Sequence, residues 1–356
     1  MISTHKPLAT SSTSQFLRIA SHLDENKKII NPPAKPQLVD SKVFKKLDDD
    51  LTVAYMNADD IHYVMSTWVL ELNWTPTQYG VEPFAEMDKK GYYMLFKNGE
   101  PIASLAAVTY PELRVAYLGL YIVNNQYLGK KYSKILWDAV IPELNGQGYN
   151  LGLNASPWVV PANVEFYNKL GFHQIGLDEV WRLEKGNDKE LEFELPEHAE
   201  IVPFTPEYQQ QLVEYDAHVF GQERAKFIFD WATKPETLSY VYLQNDKVAG
   251  FVVASARVVG TAKEGEPTGY RMGPLYADDK NIAKALLATV IKHSLNNRPL
   301  MLDVPANNIE GLKTLLTEAG FALFFKSAKM YTKPEAVVSR QDEKVFGITS
   351  LTISPR

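Results

Sequence analysis

One order of secondary-structure signals runs through this chain twice. Helical periodicity over 59–74 is followed by strand-like runs at 91–97, 101–110 and 114–123. A helix from 132, a strand at 149–155, a helix at 162–170 and a strand at 173–183 complete the first series. The second series opens with helical stretches over 206–231 and continues with strands at 239–243, 248–259 and 268–276. It ends with a helix at 281–295, a strand at 300–304, a helix at 308–319 and a strand at 321–331. The punctuation repeats as well: Leu170-Gly171-Phe172 is answered by Ala319-Gly320-Phe321, and Gly119 by Gly273. Offsets near 150 residues mark a duplicated domain, because solenoid repeats have periods of about 20–50. Asn98-Gly99 and Asn245-Asp246 are matching hairpin turns. The expected fold is α/β (α+β), with two tandem domains, each a mixed, mostly antiparallel sheet flanked by helices. The expected divisions are a flexible, proline-bearing tail at 1–45, a first domain at 46–185, a charged linker at 186–198 and a second domain at 199–352.

Composition narrows the function. With 37 Lys and Arg against 43 Asp and Glu, the net charge is −6, which disfavours general nucleic-acid binding. No apolar run approaches the ~18 residues of a membrane span, and the first twenty residues lack the apolar core of a secretory signal. The chain has no cysteine, which excludes disulfides, thiolate metal sites and cysteine nucleophiles. Its seven histidines show no metal-ligand spacing, so no metal is expected.

Chemistry concentrates in 118–136, which reads as a strand, a glycine-bearing turn and a helix. Backbone N–H groups at such a helix start face outward and the helix dipole adds positive charge, so the turn is suited to an anion. Gln126 and Gly129 set the spacing, and Lys130 and Lys131 add charge. An ordinary solvated helix start is the alternative.

The stretch Tyr-Leu-Gly-Leu-Tyr-Ile-Val-Asn-Asn-Gln-Tyr-Leu-Gly-Lys-Lys-Tyr (117–132) resembles the acetyl-coenzyme A motif of the GNAT-type N-acetyltransferases. Asn-Val-Glu-Phe-Tyr-Asn-Lys-Leu-Gly-Phe (163–172) resembles their following motif. The second series resembles the degenerate C-terminal domain of tandem bacterial members. The matching pieces are Phe220-Gly221 with Arg224, Gly273-Pro274-Leu275, Leu302-Asp303-Val304-Pro305, Lys329-Met330-Tyr331 and the segment 346–351. Two departures stand out: Lys131 replaces the usual last Gly or Ala, and Leu128 stands where Arg is common.

The resemblance implies an acetyl-coenzyme A-dependent N-acyltransferase that moves an acetyl group to a primary amine by direct attack in a ternary complex. It implies cofactor contacts from Tyr121, Ile122, Val123, Gln126, Gly129, Lys130, Lys131, Tyr132 and Asn163, with Tyr167 as the group acting on the leaving thiol. Candidate acceptor contacts are Glu71 and Trp74, which border the amine pocket, and Asp303 if the halves share a cleft. In the second series Asp278 and Asp279 occupy the phosphate turn, and Leu316 stands where Tyr167 would be. That copy is expected to be inactive and to act as a scaffold or substrate wall. The expected setting is a cytoplasmic bacterial monomer or homodimer. The competing readings are a non-catalytic acyl-coenzyme A-binding module and an exported effector that acetylates host proteins.

Overall fold

The computed structural model describes residues 34–356 except 73–80, 156–159, 185, 187–188, 258–268, 295–297 and 338–340. The first series comprises β1 (Val43–Lys46), β2 (Leu51–Tyr55), α1 (Ala58–Ser66), α2 (Trp68–Glu71), α3 (Val81–Met87), β3 (Tyr92–Lys97), β4 (Glu100–Tyr110) and β5 (Val115–Val123). It continues with α4 (Tyr132–Gly146), β6 (Asn150–Ala155), α5 (Val160–Lys169) and β7 (His173–Leu183). The second comprises β8 (Ala199–Pro203), α6 (Gln209–Phe220), α7 (Ala225–Thr233), β9 (Leu238–Gln244), β10 (Lys247–Arg257) and β11 (Gly269–Ala277). After these come α8 (Lys280–His293), β12 (Leu300–Val304), α9 (Ile309–Glu318), β13 (Ala322–Tyr331) and the short β14 (Val345–Gly347).

Local chemistry accounts for the turns. Asn57 and Asp60 form a reciprocal capping box at the start of α1. Both hairpin dipeptides adopt positive φ at each residue, 50° and 80° at Asn98-Gly99 and 50° and 60° at Asn245-Asp246, as a tight turn between twisted strands requires. The helix expected over 59–74 is two short helices, α1 and α2, separated at Thr67. Five elements lie beyond the expected series: β1 and β2, which form an added edge hairpin, α3, β8 and β14.

The two series share one sheet, in the order β1-β2-β3-β4-β5-β6-β13-β7-β12-β11-β10-β9-β8. Among the described residues, only β5/β6 and β11/β12 pair in parallel. At the centre the last strands are exchanged. β7, from the first series, pairs with β12 from Leu183↔Leu300 to Glu179↔Val304. β13, from the second, pairs with β6 from Ala155↔Ala328 to Gly152↔Tyr331. β7 and β13 then pair with each other, with Asp178 opposite Ser327 near the pseudo-twofold centre.

One face of the sheet, the inner face, carries a core common to both halves. Ile61, Trp68 and Phe84 join Phe220, Phe227 and Trp231 there, with Phe84 and Phe227 ring centroids 4.6 Å apart. The outer face has separate cores, one under α4 and one under α8 and α9. A buried ion pair pins the inner face: Arg224 Nε and Nη2 each donate to Asp216 at 2.8 Å. The Arg224 guanidinium also lies 3.7 Å from the Phe220 ring centroid and donates to Thr349 Oγ1 in the final segment of the chain.

Candidate active site

β5 and β6 pair from Val115↔Asn150 to Leu118↔Leu153 and then part, leaving a slit beside residues 119–123. A bulge shapes its wall. Ala106 pairs with Gly119 and Ser104 with Ile122, so β5 carries one residue more than β4 across this step. Leu120 takes φ 46°, and the Ser104 hydroxyl donates to its carbonyl at 2.7 Å. Because a trans peptide holds C=O and N–H on opposite sides, the N–H of Tyr121 is turned away from β4, toward the slit. Tyr121, Ile122 and Val123 follow along this edge. Ile122 is buried against the inner core, while Tyr121 and Val123 pack half-buried toward α4.

The slit leads to the start of α4. Gly129 has φ 77° and Lys131, the residue before the first turn, has φ 62°. Position 131 thus carries a left-handed backbone requirement that a glycine would meet freely and that Lys131 meets at the strain cost of a Cβ. The Lys131 side chain is exposed and does not crowd the turn. Among the described residues no side chain caps α4, and no acid lies in its first turn, so its leading N–H groups are left for an anion. Gln126 is exposed in the turn, its N–H held by Asn124 Oδ1 at 3.1 Å. Lys130 lies 5.7 Å from the centroid of the Tyr127 ring, which in turn meets Tyr132 edge-on.

Tyr167 lies on α5 against Trp137, Phe166 and Phe172, with ring centroids 5.1–6.4 Å away. Burial pushes its phenol up to about 12. Asn163 stands one turn earlier on the same helix, half-buried. Tyr121, which reaches the same Trp137 ring at 5.4 Å, brings the β5 edge and α5 to one place.

On the inner face, Glu71 at the end of α2 accepts from Asn125 Nδ2 at 2.9 Å, tying that helix to the turn after β5. Trp74 lies outside the described residues. Asp303 is fully engaged elsewhere: Arg271 Nε and Nη2 donate to both of its oxygens at 2.6–2.9 Å. Burial pushes the Asp303 carboxyl up, against the pull of that guanidinium. Its charge is thus matched within the second half. Among the described residues no cluster of His, Asp and Glu is placed to hold a metal, and no helix is long and apolar enough to cross a membrane.

The equivalent slit of the second half is filled. β11 and β12 part after Met272↔Leu302, and β14 enters between them, pairing with β11 at Leu275↔Gly347 and Tyr276↔Val345. Ile348 N then donates to the Asp303 carbonyl of β12 at 2.8 Å, so the chain bridges both arms of its own slit. The helix start beyond is filled too. Asp279 caps α8 by accepting from the N–H groups of Asn281 and Ile282 at 2.7 and 3.0 Å. Asp278 is held by Tyr215 and Lys344, each at 3.0 Å.

Sequence reasoning places the backbone from Leu120 to Val123 at the donor carbonyl and marks 346–351, but it misses the Ser104 clamp, the left-handed turn of Leu120 and the contact of 352–353 with Gly119. No residue motif marks a bulge or its hydroxyl clamp. Gly119 and Gly273 were the one available signal. A Cβ at Gly119 would overlap the Thr352 carbonyl oxygen, and one at Gly273 that of Ile348. The repeated glycines let the final segment lie directly on β5 and β11.

Comparison with known proteins agrees with this geometry. Residues 61–172 match the model of the Acetyltransferase (GNAT) family, and 212–347 match that of an Acetyltransferase (GNAT) domain. The chain is 25% identical over 291 residues to a holothin acyltransferase from Pseudoalteromonas sp., covering 82% of this chain and 90% of that one. Its fold resembles that of a putative acetyltransferase from Pyrococcus horikoshii (TM-score 0.63, 17% identity, 87% of this chain and 98% of that one). It also resembles a tandem GNAT protein from the clavulanic acid biosynthesis pathway (TM-score 0.56, 14% identity, 79% and 98%). Two matched domains, joined through one exchanged sheet, identify this protein as a tandem member of the GNAT acyltransferase family.

Proposed function

We propose that the first half transfers an acetyl group from acetyl-coenzyme A to a primary amine by direct attack in a ternary complex. The observation that carries this reading is the contrast between the halves: among the described residues one slit and helix start are open, and the other pair is occupied by β14 and Asp279. Acetyl-coenzyme A would supply an activated thioester carbonyl in the open slit. The edge of Tyr121, Ile122 and Val123 offers main-chain groups to an extended ligand, as an added strand would use them. Gly129, Lys130, Lys131 and the first turn of α4 hold negative charge. The Tyr121 N–H, fixed by the Ser104 clamp on Leu120, is aimed where a developing oxyanion needs a donor. Tyr167 donates a hydrogen bond to the departing sulfur, with Asn163 beside it. Amine approach is from the inner face, where Glu71 is the carboxylate best placed to take up a proton, directly or through water. Asp303 is assigned no part in acceptor binding, because Arg271 already pairs with it.

Calorimetric titration of the whole chain with acetyl-coenzyme A should give one site. Gly129→Asp should weaken it at least tenfold, since it puts a charge and a Cβ at a positive-φ position facing the anion. Two equivalent sites, or a site indifferent to Gly129→Asp, would refute the assignment. A screen of amines by thiol release then identifies the acceptor, with no protein thiol to interfere.

Lys131→Gly should have opposite effects on two quantities. Relief of the left-handed strain should raise stability by about 0.5–1 kcal/mol, while loss of the charge weakens acetyl-coenzyme A binding. Thermal melts and the same titration read both. Unchanged affinity would mean that the ammonium stays in solvent when the ligand binds.

A further inference from the structure

We propose that the turn at 351–353, contributed by the final segment of the second half, forms the back wall of the acyl pocket in the first half. Ile353 limits the donor to acyl groups of two or three carbons. The inference rests on the reading of the open slit as the donor site, and extends it to donor selectivity.

The wall lies where the slit begins. Gly119 is the first β5 residue beyond the parallel pairing with β6, and the bulge at Leu120 follows it directly. The Thr352 carbonyl occupies the space a side chain at 119 would take, and Ile353 Cγ2 lies 3.0 Å from that same Cβ position. Ile353 is buried in one core with Tyr117, Leu120 and Ile122, the inner-face residues of β5 on either side of Gly119 and the bulge. A carbonyl held at the Tyr121 N–H therefore has its substituent on the inner face directed at a packed aliphatic surface.

That surface is fixed from several directions. Tyr110, itself wholly buried, donates its hydroxyl to the Ile353 carbonyl at 2.7 Å. Arg224 donates to Thr349 Oγ1, and Lys329 donates to the Pro355 carbonyl at 2.7 Å. At its other end the segment is anchored as β14 in the second slit. Such a wall cannot retreat for a longer chain without disturbing the ion pair of Asp216 and Arg224 or the filling of the second slit. The second half thus acts on the first half's donor specificity through its C-terminal segment.

The test compares coenzyme A, acetyl-coenzyme A and butyryl-coenzyme A on the full chain, wild type and Ile353→Ala, by calorimetry. Butyryl-coenzyme A should bind the wild type at least tenfold more weakly than acetyl-coenzyme A, the scale on which packed pockets discriminate methylenes. In Ile353→Ala that ratio should narrow at least tenfold, while coenzyme A itself binds both proteins alike. Ile353→Val, which removes one methyl, should narrow it in the same direction by less, and carries the test if the alanine variant does not fold. A ratio unchanged in both variants would overturn the wall. If coenzyme A and both thioesters fail to bind the wild type, the donor site itself is wrongly placed, and the wall falls with it.

Discussion

Residues 34–184 produced alone are expected to give no folded monomer. The exchanged strands make each half depend on the other: without the second half, β6 loses β13, and β7 loses both of its neighbours. Val180, Trp181 and Leu183, each 5% exposed or less, would become solvent-facing. Gly119 would lose the segment packed upon it. Open strand edges of this kind associate, so aggregation is one expected product. A homodimer is the other, in which β7 of each copy takes the place β13 occupies here, because the two strands are equivalents in the repeat. Light scattering after size exclusion, with a thermal melt, distinguishes these from a monomer. A monomeric 34–184 fragment with a cooperative transition would contradict the argument. Co-production of the two halves as separate chains, cut between Leu183 and β8, should restore a one-to-one complex.

Tyr167→Phe is expected to lower turnover by roughly 10²-fold while leaving the affinity for coenzyme A within about twofold. Burial among Trp137, Phe166 and Phe172 holds the phenol at about 12, against about 8.5 for a thiol. Complete proton transfer from this phenol to a thiolate is therefore uphill by roughly 5 kcal/mol. The hydroxyl serves as a hydrogen-bond donor to the developing thiolate, which afterwards takes its proton from solvent. No limb in the pH profile of turnover should then belong to Tyr167 below pH 10. The sign for stability follows from the same shift. The folded state keeps this proton longer than the unfolded chain, whose phenols titrate near 10. The contribution is complete below pH 10 and is lost as pH rises through about 12. Tyr167→Phe should remove that part of the alkaline destabilisation. Turnover equal to wild type with an acceptor found in the amine screen would leave Tyr167 a packing aromatic only.

Much of this architecture was legible in the residues because its signals are local. The hairpin dipeptides at 98–99 and 245–246 state their own geometry through the backbone conformations they tolerate. The duplicated Gly-Phe stops recur at matching offsets. The contrast between Gln126 and Gly129 on one side and Asp278 and Asp279 on the other separates the two helix starts at the level of residues alone. Lys131 was legible as a departure from the family pattern, but not its consequence. Only the backbone angle reveals that glycine is favoured there for its left-handed conformation and that the lysine side chain points outward.

The elements that sequence reading missed have weak local signals. β1 is four residues long with two consecutive lysines, and it is ordered by Phe44 packing on Tyr55 and Tyr93. The bulge clamp depends on Ser104 meeting a carbonyl 16 residues away. Strand exchange leaves no mark at all: β7 and β13 each read as a last strand, and alternation in a strand fixes its faces without naming its neighbours. Local residue signals carry the two copies of one unit and the difference between their helix starts, glycine-bearing in one and acidic in the other. Tertiary structure decided which strand closes which half, and it filled one slit with the chain's own end while leaving the other open. Those choices rest on burial and loop closure over more than a hundred residues, where no short-range pattern carries information.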